Sequence, residues 1–489
     1  MEKTSGATPS VAISSKTGLR SFQLLMLALM IAEVTCSMES SMVYVALAPL
    51  YQKYGDPQRV NWIMTAFMLA SCATAAAVGR LGDVFGRKRV LTAMLTIATL
   101  GSLLSAFAPS LVWVIVGRAL QGATMAILPL AYGIVRQSVD ETRTTRAVAL
   151  MGSVYVLGTG VGMLLGGAIV DRWGWHGIFF LSATVSVLAL ILVILFVPQS
   201  KKSPVTEPFD LLGLVLLTYA TTSILLWLSW FGLSLKSIQQ VALPASGLVA
   251  AGVFVWQELR HPAPFVDLRL FSDRSILFPN FCIFVVALGP LMYPLITVPL
   301  LQQPGWTGTG FGLTATAVGV VNMANILTCS VAGVICGQQA ARYGTRLVLL
   351  VIAFLQVLGW LAAAAGHSSL LVLIGLVTFV LAPTAFLMFA MMPRLIMEVV
   401  PEQRTSEATG LTQSIRSLGQ AGSAQLIGYI LASSTVTRAS ITGTFPSNNA
   451  YTLAFVALVV CSVLALLALL ATPKRRRFNS NPVVAPAVA

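Results

Sequence analysis

Apolar stretches long enough to cross a lipid bilayer recur from residue 22 to residue 472, and nothing else about the chain restricts its fold so strongly. They fall near 22–50, 58–79, 90–108, 111–136, 145–170, 176–197, 210–231, 241–259, 276–302, 312–336, 346–365, 369–397, 407–432 and 450–472, fourteen in all. Each is continuously apolar, without the alternation of a barrel strand, so the expected fold class is an all-α polytopic membrane protein. Composition agrees. Of 489 residues 57% are hydrophobic and 9% charged, too little polar surface to clothe a soluble enzyme or a nucleic-acid-binding domain. Residues 1–20 are polar and rich in Ser and Thr, and read as a disordered cytoplasmic leader rather than a cleaved signal peptide.

The net charge of +14 is scattered over short inter-span loops without forming a basic face. Its expected partners are the lipid bilayer's anionic inner leaflet and the membrane potential, not nucleic acid. If the chain starts inside and crosses fourteen times, 23 of the 30 Lys and Arg lie on the starting side and 5 opposite, while Arg118 and Arg416 fall inside spans. Deleting any span breaks this alternation. Both termini, including the basic tail 473–489, are therefore expected in the cytoplasm. The absence of an Asn-x-Ser/Thr sequon favours a bacterial cytoplasmic (inner) membrane. Six cysteines lie in apolar runs without CxxC spacing, and the three histidines have no ligand spacing, so neither metal nor cofactor is expected. No Walker loop, dinucleotide fingerprint or hydrolase pattern is present, which argues against an enzyme.

An internal repeat organises the chain. The segment Gly79 to Leu91 follows the second span and Gly337 to Leu349 follows the tenth, with two glycines, a basic residue and a leucine in register. Two six-span bundles, 21–198 and 263–472, with two inserted spans in 199–262, account for it.

Gly79 to Leu91 also matches G-x-L-x-D-x-x-G-R-K-x-x-L at every fixed position. The chain thereby resembles the major facilitator superfamily, whose loop motif implies a conformational latch at Gly79, Asp83, Gly86, Arg87 and Lys88. Three further segments resemble the fourteen-span drug:proton antiporter branch. They are Met38 to Leu47 with Glu39 where that branch has Asp, Arg118-Ala119-Leu120-Gln121-Gly122, and Gly158 to Gly167. Two departures stand out: Met163 replaces the usual proline of the fifth-span motif, and His176 a common arginine. The first weakens the inference of antiport, though not of the superfamily. Gly158, Gly162 and Gly166, with Gly167, recur at helical spacing and form a flat stripe for close packing.

Two of sixteen acids lie deep in a span, Glu33 and Glu39, where a charge is costly and rarely decorative. They differ by about 9 Å in height and about 120° around the helix, so they cannot meet at one spot. The resemblance makes Glu39 the proton carrier and Arg118 the cation that approaches or leaves it, while Glu33 sits lower in a substrate cavity. Other inward polar candidates are Asn280, Tyr293, Asn322, Asn325 and Gln413. Met388, Met391 and Met392, with Phe386 and Phe389, offer an adaptable wall. Arg416 sits too deep to reach a surface easily and serves either structure or function. The expected function is alternating-access export of amphipathic or drug-like small molecules in exchange for protons, by a monomer. The alternatives are proton-coupled uptake of a small organic solute and a non-transporting scaffold or receptor.

Overall fold

A computed structural model describes residues 19–138, 141–199, 210–230, 237–261, 268–397, 405–438 and 441–473. Helices α1 (Leu19–Tyr54), a short α2 (Pro57–Val60), α3 (Trp62–Phe85), α4 (Arg87–Ala106), α5 (Leu111–Gln121), α6 (Ile127–Ser138), α7 (Glu141–Trp173) and α8 (His176–Phe196) make a first bundle. Then come α9 (Leu211–Trp230) and α10 (Ser237–Arg260), packed on each other. A second bundle holds α11 (Arg274–Leu288), α12 (Pro294–Gln302), α13 (Ala315–Tyr343), α14 (Thr345–Gly366), α15 (Leu370–Leu376), α16 (Ala382–Met397), α17 (Thr405–Ala432) and α18 (Asn448–Ala471).

Eleven segments among the described residues are helical, long and apolar enough to cross a membrane. The expected spans at 58–79, 210–231 and 407–432 are also helical, as α3, α9 and α17, but do not reach that mark among the described residues. In α17 the reason is chemical. Its inward face carries Ser414, Arg416, Ser417, Ser423 and Gln425, all buried. Large apolar side chains such as Leu100, Ile191, Leu195, Val351, Leu358, Val460 and Leu467 are instead exposed on α4, α8, α14 and α18, the pattern of a lipid-facing surface.

The repeat read from the sequence has a structural counterpart. Gly86 ends α3 at φ 93° and ψ 128°, and Gly344 ends α13 at φ 89° and ψ 146°, a region that side chains bearing a Cβ rarely enter. Each turn reverses the chain into the next helix, and the basic residue two positions on does the same task in both bundles. Lys88 Nζ donates to the carbonyl of Ile194 (2.9 Å) at the end of α8, and Arg346 Nη2 donates to that of Leu470 (3.0 Å) at the end of α18. A cation on terminal carbonyls complements the helix dipole. The side chains of Gly79's neighbour Arg80 and of Asp83 lie outside the described set, as does everything that would test the motif through them.

The bundles meet along α7 with α13 and α3 with α17. The glycine stripe lets α7 lie flat against α1 on one side, while Gly167 opens its other side to α13. A Cβ on Gly158 would overlap Ser37 Oγ, and one on Gly162 would stand 2.6 Å from Ser41 Oγ, both on α1. Gly167 instead faces the backbone of Ala315 on α13. One end of the interface is tied by polar contacts across it. Asp171 accepts from Ala315 N (3.0 Å), Thr316 N (2.8 Å) and Thr316 Oγ1 (2.5 Å); Asn61 Nδ2 donates to Ala424 O (3.1 Å), Gln425 Nε2 to Thr65 Oγ1 (2.6 Å), and Gln302 Nε2 to Val45 O (3.0 Å).

Two details depart from the sequence reading. The connection after α17 contains an antiparallel hairpin, β1 (Thr435–Arg438) with β2 (Ile441–Pro446), where uninterrupted helix and loop were expected. Its β-branched run Thr435-Val436-Thr437 suits a pleated surface, and Phe445 seats edge-on against Trp306, ring centroids 5.6 Å apart. Glu258, not one of the two acids read as deep in a span, lies within α10 and is fully buried beside Asp210, the N-terminal cap of α9. The apolar run around it hid the carboxylate.

Candidate functional site: two polar centres back to back on one helix

Among the described residues three of the expected spans are irregular, and all three irregularities border the centre of the molecule. The fourth span passes through a 3₁₀ segment at Gly122–Ala126, where Gly122 packs against the backbone of α3. The ninth breaks at Gly289 and Pro290 before resuming as α12 at Pro294. The twelfth holds a π-helical segment at Val377–Leu381. Such breaks leave backbone groups and side chains free to serve a site.

The first centre surrounds Glu39, which is 2% exposed. Its Oε1 accepts from Ser182 Oγ of α8 (2.7 Å) and Ser102 Oγ of α4 (3.2 Å), and its Oε2 from Thr124 Oγ1 of the 3₁₀ segment (2.9 Å). Gln121 Nε2 donates to Ser102 Oγ (2.7 Å) and Ser182 Oγ (3.3 Å), closing the cluster. Arg118 donates through Nη1 to the main-chain carbonyl of Glu39 (2.8 Å) and to Gln121 Oε1 (2.9 Å), and through Nε to Ile63 O (3.4 Å). Its guanidinium lies over the Phe67 ring at 4.1 Å, with Nη2 left unpartnered. Arg118 thus neighbours Glu39 as expected, but holds its backbone and not its carboxylate.

The second centre is a cavity of about 170 Å³ between the bundles. Ser40, Ser41, Tyr44, Met125 and Tyr155 line it from the first bundle, and Tyr293, Asn322, Phe386, Phe389, Arg416 and Gln420 from the second. Tyr44 Oη donates to Met292 Sδ across it (3.6 Å). Asn325 stands one layer behind the wall, accepting from Thr378 Oγ1 (2.8 Å) in the π segment and donating to Asn322 Oδ1 (3.4 Å). Arg416 is 7% exposed, with Nε unpartnered and its guanidinium 4.4 Å from the Phe389 ring centroid.

The expected site residues divide accordingly. Tyr293, Asn322 and Phe386 line the cavity, and Asn325 supports it. Met388 does not belong there: it is fully buried with Val286, Leu349 and Met392 in the core of the second bundle, because its neighbour Phe389 takes the cavity-facing position. Glu33 is fully buried, and both carboxyl oxygens lack a partner. It does not line the cavity, although it shares a face of α1 with Ser40 and Tyr44, seven and eleven residues on. Asn280 is occupied within the second bundle, accepting from Thr412 Oγ1 (2.9 Å). Sequence reasoning missed Ser102, Ser182 and Thr124. For the two serines a signal was present as hydroxyl residues at helical spacing, Thr99-Ser102-Ser105 on α4 and Ser182-Ser186 on α8, all buried; Thr124 belongs to no such run.

Two helical bundles closing on a cavity, with buried ionisable side chains on both sides of it, define a polytopic α-helical membrane protein. The chain belongs to the Major Facilitator Superfamily, whose family model matches residues 29–424 and, again, 309–487. It is 31% identical over 285 residues to the multidrug resistance protein B homolog of Mycobacterium tuberculosis (strain ATCC 25618 / H37Rv), a match covering 56% of this chain and 51% of that protein. The chain thus spans about half the length of that relative. It is 29% identical over 427 residues to the uridine/deoxyuridine transporter of Lactococcus lactis subsp. cremoris (strain MG1363), covering 84% of this chain and 87% of that one. The fold is similar to that of a bacterial homolog of the human lysosomal transporter Spinster, in an inward-facing and unoccupied conformation. That similarity has a TM-score of 0.66 at 12% identity, over 94% of this chain and 98% of that chain. The nucleoside transporter NupG gives a TM-score of 0.62 at 13% identity, over 92% and 100%.

Proposed function

We propose that the protein exports amphipathic small molecules in exchange for protons, by alternating access through the cavity between its bundles. One observation carries the reading: Glu39 and the cavity occupy opposite sides of the same turn of α1. Ser40 and Ser41 line the cavity while the adjacent Glu39 turns its carboxyl into the hydroxyl cluster behind it. A ligand that displaces α1 therefore changes the cage around the carboxyl. Conversely, a carboxylate that gains or loses a proton changes how α1 is held, because linkage is reciprocal. Three neutral hydroxyls serve either form, since each can donate to a carboxylate or accept from a carboxylic acid. The multidrug-named relatives support the outward direction.

Uptake is the second reading, favoured by a uridine/deoxyuridine transporter that resembles the chain over 84% of its length. In either direction α3, α9 and α17 are proposed to complete fourteen spans, with both ends cytoplasmic. Residues 202 and 236, where reporter fusions test this, lie outside the described residues; they should report inside and outside respectively, and the same side for both sinks the two added spans. The decisive experiment reconstitutes the protein in vesicles and measures proton and substrate flux with the pH gradient imposed in each direction. Opposed fluxes support export by exchange, parallel fluxes support uptake, and substrate flux without proton movement removes the coupling.

A further inference from the structure

Arg416 is the one charged side chain among the described residues that line the cavity. It stands on α17 roughly 16 Å from one helix end and roughly 24 Å from the other, too far to snorkel to either surface. The Phe389 ring covers the face of the guanidinium, 4.4 Å away, and leaves the in-plane N–H donors unused. No described residue accepts a hydrogen bond from it, and Nε is buried without a partner. A lysine in this position could shed its proton; an arginine remains charged. The cavity thus presents a permanent cation whose donors are unspent, in a wall that also carries five aromatic rings, Tyr44, Tyr155, Tyr293, Phe386 and Phe389.

We propose that the transported molecule is a planar aromatic acid, its deprotonated oxygens docked on Arg416 and its ring held among these aromatic side chains. A guanidinium fork matches a carboxylate in geometry as well as charge. A cationic compound would instead meet like charge in a medium that screens it poorly. The inference rests on reading the cavity as the substrate site.

The test compares three ligands with one ring system, 2-naphthoate, 2-naphthamide and 2-naphthyl-trimethylammonium, by calorimetry on the purified protein. The wild type should prefer naphthoate over both others by roughly ten- to a hundredfold. R416Q should erase that preference while still binding naphthamide, and R416K should keep part of it. Retained amide binding separates a lost anion site from a protein that no longer folds. Equal affinities in the wild type, or a preference that survives R416Q, overturn the proposal. A preference for the ammonium compound overturns it and leaves the cavity standing as a binding site. Failure of all three to bind sinks both. Loss of the transport reading shows itself differently, as naphthoate binding in the wild type without flux across vesicles.

Discussion

Arg118 donates to the main-chain carbonyl of Glu39 at 2.8 Å, and no hydrogen bond joins its guanidinium to the Glu39 carboxylate. The pair is therefore not a simple salt bridge that opens and closes. Arg118 clamps the backbone of α1 to α3 and α5 through Glu39, Ile63 and Gln121, while the carboxyl answers to hydroxyls of α4, α8 and the 3₁₀ segment. Position and protonation are held by different groups.

That division predicts different failures. Glu39→Gln should abolish flux driven by a pH gradient while sparing gradient-free substrate exchange, because the amide preserves size and hydrogen bonding but releases no proton. Arg118→Ala should lose both, since it frees the helix itself; Arg118→Lys should be partly active, having charge without the fork. Side-by-side counterflow and proton-flux assays separate these. Wild-type proton stoichiometry in Glu39→Gln would transfer the carrier role to Glu33, whose buried carboxyl has no partner.

Asp171 ties the end of α7 to the first turn of α13 through two amides and a hydroxyl. Capping carboxylates contribute about 0.5–2 kcal/mol, less at a solvent-facing site such as this. Asp171→Ala should therefore shift the conformational balance severalfold toward the state open at this end. Spin-label distances between α7 and α13 read the shift directly, and an unchanged distance distribution removes Asp171 from any gating role.

The glycine stripe is a packing surface with little tolerance. Gly162→Ala places a methyl 3.0 Å from the Cα of Met38 and 2.6 Å from Ser41 Oγ, so roughly 1–3 kcal/mol of destabilisation is expected. Gly252→Ala on α10 is the control, since nothing lies within 4 Å of its Cβ position. It should be neutral or stabilising by about 0.5–1 kcal/mol. Thermal unfolding in detergent ranks the two, and equal melting temperatures would show that α1 and α7 separate without cost.

Lys88 and Arg346 offer a test of the repeat. Lys88→Met and Arg346→Met each remove a cation from the terminal carbonyls of α8 and α18. Each should cost about 0.3–1 kcal/mol, with effects that add in the double variant because the sites sit in separate bundles. Strong non-additivity in melting temperature would mean that the two loops act as one unit.

The sequence by itself determined whatever depends on a helix's own period and length. The apolar runs, the paired glycines at 86 and 344, the stripe at 158, 162 and 166, and the depth of Glu33, Glu39, Arg118 and Arg416 all follow from local pattern. So does the opposition of Glu33 and Glu39 around α1, since a hundred degrees per residue is a property of one helix. The tertiary structure alone decided what stands across from each face. Glu39 meets Ser102 and Ser182 from residues 63 and 143 positions away, Asp171 reaches Thr316 across 145, and Phe389 rather than Met388 turns to the cavity. The breaks at Gly122–Ala126, Pro290–Met292 and Val377–Leu381 were likewise hidden, because bent and straight spans are equally apolar. Period fixes an angle about a helix axis, whereas the partner at that angle is set by how the helices pair and cross, which no single span encodes.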